Sequence, residues 1–222
     1  MSEELILLSG AVPGHQEEYR QWYVSRHLPD MRRVPGVVAG QISTATESSP
    51  DRNWTVLSRY RLTGSVGEVV AAIAARLGTE DLPLTDAIDR DSVLMMAASP
   101  LGARVVAPSG NARNDGLLYF VLTNAEPGQD DAFNRWYSDR HIDDVLAVPG
   151  FIAAQRFRLA AASARQELPW RYLAIYEVVA DQASQALAEL GSRADTEAMP
   201  LSPSLNRSNI YTALFRPVVG GF

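Results

Sequence analysis

Tyr19-Arg20-Gln21-Trp22-Tyr23-Val24-Ser25-Arg26-His27-Leu28-Pro29-Asp30, closed by Val34-Pro35-Gly36, is a stretch the chain writes twice. At an offset of 114 residues it returns as Phe133-Asn134-Arg135-Trp136-Tyr137-Ser138-Asp139-Arg140-His141-Ile142-Asp143-Asp144, closed by Val148-Pro149-Gly150. The same offset sets Leu8 on Leu122, Pro13-Gly14 on Pro127-Gly128, and Ala39 and Gln41 on Ala153 and Gln155. With small shifts the match resumes downstream. Trp54, Leu57 and Tyr60 meet Trp170, Leu173 and Tyr176, and Arg90 meets Arg207. Thr79-Glu80 with Pro83-Leu84 meets Thr196-Glu197 with Pro200-Leu201, and Pro100 meets Pro217. A unit this long is no solenoid repeat and reads as a tandem duplication. The expected division is 1–100, a Gly/Pro/Ser/Asn-rich linker 101–115, and 116–222.

Each unit carries the same run of elements. In the first, Leu5 to Ser9 reads as a strand and His15 to Arg33 as helix. Val37–Ala45 and Trp54–Leu62 read as a strand pair around a polar loop, residues 46–53. Ser65 with Glu68 three residues on is a capping box, Gly78 is placed to end that helix, and Val93–Ala98 reads as a last strand. In the second unit the strands begin near Leu117, Phe151, Tyr172 and Ile210, and the second helix runs from Asp181 to Gly191. The order βαββαβ predicts an α+β fold of two ferredoxin-like units with antiparallel sheets. Leu5-Ile6-Leu7-Leu8 and Leu118-Tyr119-Phe120-Val121-Leu122 do not alternate apolar with polar residues, so both strand faces are expected to be dry. That predicts sheets packed as an α/β barrel within one chain, with two independently dimerising units as the alternative.

At 100° per residue, Tyr19, Trp22, Tyr23, Met31 and Val34 form the core-facing stripe of the first helix. Phe133, Trp136, Tyr137, Val145 and Val148 do so in the second unit. Arg26, His27 and Asp30, and again Arg140, His141 and Asp144, fall within those stripes. Gln21, Ser25, Leu28 and Arg32 fall opposite. Polar residues breaking a local rule at matched places mark a candidate site. An imidazole titrates near neutrality and suits proton transfer. Tyr23 and Tyr137, four residues earlier, lie within reach of His27 and His141 or of a shared ligand. Arg26–Asp30 and Arg140–Asp144 are spaced to pair and to set the charge around the imidazole. A pocket walled by Trp22 or Trp136 suits a flat apolar or phenolic molecule. The plain alternative makes the tryptophans core anchors, the ion pairs surface pairs and the histidines structural. Glu80 and Glu197, in the loop before the last strand, are weaker candidates at a pocket rim.

Composition excludes other chemistries. The 222 residues are 46% hydrophobic and 21% charged, enough to bury a core. The chain contains no cysteine, which excludes disulfides, thiolate nucleophiles and zinc–thiolate sites. A net charge of −6 argues against a nucleic-acid surface. Apolar runs are too short for a membrane span, and the start, Met1 to Leu5, lacks signal-peptide character, so a cytoplasmic protein is expected. His27 and Asp30 have an H-x-x-D spacing, but two ligands per unit fall short of a metal site. No phosphate-cradling glycine motif or nucleophile elbow occurs.

The aromatic–x–x–Trp-Tyr–x–x–x–His motif with its later Pro-Gly, at Tyr19 to Pro29 and at Phe133 to Asp143, resembles the dimeric α/β-barrel superfamily, most closely its EthD-like branch. The resemblance implies ferredoxin-like units sharing a barrel, with a ligand cavity between sheet and helices. It implies small-molecule work on aromatic or polyketide-derived compounds. Relatives of that kind are cofactor-independent cyclases, isomerases, decarboxylases and monooxygenases, together with haem-dependent members. The family histidine carries over to His27 and His141. The second unit departs from the His-x-Pro form, with Asp143 where the first has Pro29, so the two sites are expected to differ. The leading expectation is a cofactor-independent enzyme. His27 and His141 would shuttle a proton and Tyr23 and Tyr137 orient it, with Trp22, Trp136, Arg26, Arg140, Asp30 and Asp144 as binding residues. The partner is a small hydrophobic or aromatic molecule, and the chain is an intrachain pseudo-dimer with homodimerisation open. A non-catalytic binding or accessory protein is the runner-up, and a haem protein with an axial histidine the third.

Overall fold

The computed structural model describes residues 2–47, 52–108, 116–163 and 167–221. Parts of the expected polar loop (48–51) and of the expected linker (109–115) lie outside them. Contacts divide the chain into two compact units, and these are not sequential halves. Unit 1 comprises Met1–Pro100 with Leu159–Pro169 and Phe215–Phe222; unit 2 comprises Leu101–Arg158 and Trp170–Leu214. Long strands carry the ends of two second-half segments into the first unit, which a linear repeat cannot reveal.

Unit 1 runs β1 (Glu4–Ala11), α1 (Gln16–Trp22), a π-helical turn (Tyr23–His27), α2 (Leu28–Met31), β2 (Val37–Ala45), β3 (Val56–Leu62), α3 (Val66–Ala74) and β4 (Ile88–Pro100). Its strands pair antiparallel in the order β4-β1-β3-β2. β1 is buried on both faces, as its unbroken apolar run requires. Ser65 caps α3 and Glu68 returns the bond to the Ser65 backbone, so the capping box is formed. β4 is longer than the Val93–Ala98 core read from hydropathy, because pairing with β1 continues past the apolar residues.

Unit 2 begins with the short β5 (Val105–Val106), inside the expected linker, which pairs with residues 153–154. It continues with β6 (Leu117–Thr123), α4 (Asp130–Trp136), a second π-helical turn (Tyr137–His141), α5 (Ile142–Leu146), β7 (Phe151–Ala161), β8 (Tyr172–Val178), a 3₁₀ turn (Ala180–Gln182), α6 (Ala183–Arg193) and β9 (Tyr211–Gly221). β8 pairs antiparallel with both β6 and β7, and β9 lies beside β6. Residues 215–221 of β9 pair with β2 in unit 1. Helix α6 passes through Gly191, where a stop was expected, and ends at Arg193. Two residues on, Asp195 is left-handed (φ 64°), and its carboxylate is gripped by Arg207 through bonds of 2.7 and 3.1 Å.

The π-helical turns correct the helical-wheel reading. The backbone N–H of Leu28 reaches the carbonyl of Tyr23, and that of Ile142 reaches Tyr137, each closing an i→i+5 ring. The wider turn advances each residue by less than 100° and shifts the phase of the next helical segment. Leu28 and Ile142 are therefore buried rather than solvent-facing, and Arg26 and Arg140 swing out to about half exposure. Tyr19, Tyr23, Met31 and Val34, and Phe133, Tyr137, Val145 and Val148, face the core as the apolar pattern required.

Each Pro-Gly pair forms the turn into the next strand, closed by Val37 N–H to the Val34 carbonyl at 3.1 Å and by Phe151 N–H to the Val148 carbonyl at 3.2 Å, with the glycine at positive φ, 88° at Gly36 and 99° at Gly150. A Cβ on Gly36 would stand 2.6 Å from Val69 Cγ2, and one on Gly150 3.0 Å from Ala186 Cβ. Gly14 has the same backbone shape (φ 87°) with nothing within 4 Å. Gly14→Ala is therefore expected to cost only the left-handed strain of about 1–2 kcal/mol. Gly36→Ala should cost more, because helix α3 must move. Urea midpoints of the two variants, with m-values compared, test the ranking.

Candidate functional site

Unit 2 carries an open cavity of about 380 Å³ between its sheet, its helices and the loop before β9. That lies at the small end of ordinary ligand pockets. Tyr119, Val121 and Thr123 alternate along β6, which puts all three on the cavity face while Phe120 and Leu122 are buried on the other. Tyr176 faces Tyr119 across the β6–β8 ladder. Trp136, Tyr137, His141 and Val145 come from α4, the π-helical turn and α5. Leu187, Leu190 and Gly191 come from α6, and Met199, Leu201 and Leu205 from the loop after it. The repeated loop thus supplies aliphatic wall, and it is tied in place where Trp136 Nε1 donates to the Pro200 carbonyl at 3.2 Å.

The π-helical turn arranges the chemistry. In an α-helix, residues five apart point about 140° away from each other. Here the rings of Trp136 and His141 stack at 4.5 Å and 24°. Tyr137 meets the same imidazole edge-on at 4.8 Å. Burial, with the nearby Arg156 cation second, holds the His141 pKa down at about 4. The imidazole is therefore neutral at pH 7, not poised near it as the sequence suggested, and its buried Nδ1 has no hydrogen-bond partner. Tyr176 donates to the Tyr137 hydroxyl at 3.1 Å, which leaves the Tyr137 proton free for another acceptor.

Unit 1 repeats the aromatic cluster with other surroundings. Trp22 and His27 stack at 4.5 Å and 26°, and Tyr23 meets His27 edge-on at 4.8 Å. Burial alone holds His27 at about 4. Tyr19 donates to Ser9 at 2.8 Å, and burial raises the phenols of Tyr19, Tyr23 and Tyr60.

The expected ion pairs form, but not around the imidazoles. Arg26 Nε lies 2.6 Å from Asp30 and Arg33 lies 3.0 Å from it, so the buried Asp30 carboxylate serves two guanidiniums on the helix. Arg26 also donates to the backbone carbonyl of Glu80 at 2.6 Å and ties down that loop. Arg140 lies 3.2 Å from Asp144, and neither residue lines the cavity. The charge beside the cavity comes instead from Arg156 on β7, which is 2% exposed and was not singled out from the sequence. The repeat offset would have flagged it, since the first copy has Ile42 at that place. Tyr119 and Tyr176 were likewise missed as wall residues; Tyr176 was visible only as a repeat match.

No family model matches this chain, and no curated protein does. Solved structures do. An anthrone oxidase-like protein superposes with a TM-score of 0.69 at 16% identity, over 99% of this chain and 92% of that one. A chlorite dismutase variant from Candidatus Nitrospira defluvii gives 0.61 at 10% identity, over 98% and 91%. Both have the dimeric α/β-barrel fold type, and the likeness shows that fold type for this chain. Among the described residues, no helix is long and apolar enough to cross a membrane.

The two depressed histidines make stability pH-dependent. An imidazole that binds its proton at 6.5 when unfolded and at about 4 when folded favours the unfolded state as the pH falls. The contribution is complete above pH 6.5 and is lost between there and pH 4. At pH 5 the loss is on the order of 1–2 kcal/mol per histidine. Urea midpoints at pH 7.5 and 5.0 should drop for the wild type and drop less for His27→Gln and for His141→Gln.

Proposed function

We propose that this chain is a small-molecule enzyme of the dimeric α/β-barrel type, acting without a cofactor on a flat aromatic or polyketide-like substrate in the unit 2 cavity. The observation that carries this is the aromatic-lined pocket with a neutral imidazole and an unpaired phenol proton together on its wall. Trp136, Tyr119 and Tyr176 would hold the rings of the substrate. Tyr137 would donate its proton to a carbonyl or phenol oxygen. His141 would take a proton from the carbon or oxygen which that interaction acidifies. A developing enolate beside the imidazolium would raise the His141 pKa, so a base that is weak in the empty pocket strengthens as the anion forms. Return of the proton to another carbon gives an isomerisation; attack of the enolate on a second carbonyl gives a cyclisation. The anthrone oxidase-like neighbour supports this class, since an anthrone has a methylene acidified by a conjugated ketone.

We place His27 with Tyr23 as the corresponding group of unit 1, in keeping with a tandem duplication of ferredoxin-like units and with an EthD-like affinity. The shared motif and the shared element order support that descent. Arg26, Arg140, Asp30 and Asp144 then act as struts of the helix rather than as substrate contacts. Haem fits less well. His141 would be its axial ligand, but the cavity lining offers no cationic side chain for the propionates. A binding protein without turnover is the second reading, favoured by the low basicity of His141 in the empty pocket.

Turnover of an anthrone and phenolic-ketone panel, run with thermal shift on the same compounds, separates these readings. In the enzyme, His141→Gln should lower kcat by about 10²–10⁴ while ligand-induced stabilisation persists. The wild-type kcat/KM should fall only as the pH drops through about 4, because the base must be neutral. Full activity in His141→Gln would overturn the base assignment. Stabilisation without product from any compound would leave the binding protein.

A further inference from the structure

Arg156 is a guanidinium buried to 2% exposure in an aromatic and amide cradle. It donates to Ser138 Oγ at 2.7 Å, to Asn134 Oδ1 at 2.9 Å and to the Asn134 carbonyl at 3.4 Å. Its Cζ stands 4.2 Å over the ring of Tyr137, 5.5 Å over that of Phe133 and 6.0 Å over that of Tyr172. Among the described residues, no carboxylate forms an ion pair with it. Hydrogen bonds and ring faces satisfy its donors but leave its charge unneutralised, and a buried cation of that kind attracts an anion. Tyr137, the ring beneath the guanidinium, also lines the cavity. Tyr176 donates to Tyr137, so the Tyr137 proton points onward. A cation on the ring face makes that phenol a stronger donor, and the Arg156 charge holds the Tyr137 pKa lower than burial alone would. The first copy has Ile42 where the second has Arg156, so the charge belongs to one site and not to the repeated scaffold.

We infer that Arg156 is a positioning residue that, acting through Tyr137, makes the unit 2 cavity select ligands bearing an ionised oxygen, a phenolate or an enolate, over neutral aromatics of the same shape. The inference rests on the cavity being the ligand site, and it adds the charge state of what is bound there. Tyr137 meets the oxyanion directly. Arg156 supplies the compensating charge from behind the ring, and Asn134 and Ser138 fix its plane. Arg156 and Tyr137 are both buried, so little solvent lies between them to screen the field.

The test uses 4-nitrophenol, whose absorbance reports its protonation, and nitrobenzene as the neutral comparison. The wild type should bind 4-nitrophenolate at least tenfold more tightly than nitrobenzene and lower the pKa of the bound phenol by about one unit, a tenfold preference. Arg156→Met should lose the preference and the spectral shift while retaining nitrobenzene affinity. Tyr137→Phe, which keeps the buried cation in place, should lose most of both and guards against a misfolded Arg156 variant. Wild type that binds both probes equally, with an unshifted phenol, overturns the inference and leaves the cavity reading standing. Equal weakening of both probes in Arg156→Met and in Tyr137→Phe makes the role structural and also overturns it. Failure of both probes to bind the wild type overturns the cavity reading and the inference together.

Discussion

One extra residue within a helical turn governs the site. The i→i+5 closure from Tyr137 to Ile142 brings His141 over Trp136, two residues that an α-helix would turn well apart. Once stacked, the imidazole is held by a ring face on one side and an edge on the other, with little solvent around it. Its low pKa comes first from that burial and second from the nearby Arg156 cation. The same turn sends Arg140 outward and Ile142 into the hydrophobic core of unit 2. Unit 1 has the identical device at Tyr23–His27, and its geometry agrees to within a few degrees of ring tilt.

The two units use that device differently. The first surrounds His27 and Tyr23 with phenols and serines, a cluster that burial keeps neutral. The second has an open cavity and, behind its wall, a guanidinium in place of an isoleucine. Electrostatics distinguishes the two halves more than shape does. A buried cation over a phenol face changes what that phenol can donate to, without touching the ligand itself. The loop before β9 completes the enclosure. Asp195, in left-handed conformation, and Arg207 clasp its two ends, while Met199, Leu201 and Leu205 fill its inner side.

The motif residues were legible because repetition isolates them. A Trp, a Tyr and a His at fixed spacing in two copies stand out from the helix background, and all three reach one cavity in unit 2. The pairs Arg26–Asp30 and Arg140–Asp144 form as spaced, but both arginines lie farther out than the wheel placed them. Wheel angles assume 3.6 residues per turn, and the π-helical turn breaks that assumption between the two members of each pair. Arg156 escaped because a lone arginine in the strand Phe151–Ala161 reads as a solvent-facing residue. Nothing local says that Ser138, Asn134 and three aromatic faces will enclose it.

Local sequence determined the elements and their order: apolar runs made strands, a Ser65–Glu68 box started a helix, and Pro-Gly made the turns into β2 and β7. Those are short-range effects of propensity, capping and backbone sterics, and they act within a few residues. Only the tertiary structure decided which side chains meet. Long strands carry residues 159–169 and 215–222 into the first unit. Arg156 and Tyr137 come together only because β7 packs under the helix. The neutral histidine, the relayed phenol proton and the uncompensated cation all depend on exclusion of water, which arises from packing between segments far apart in the chain.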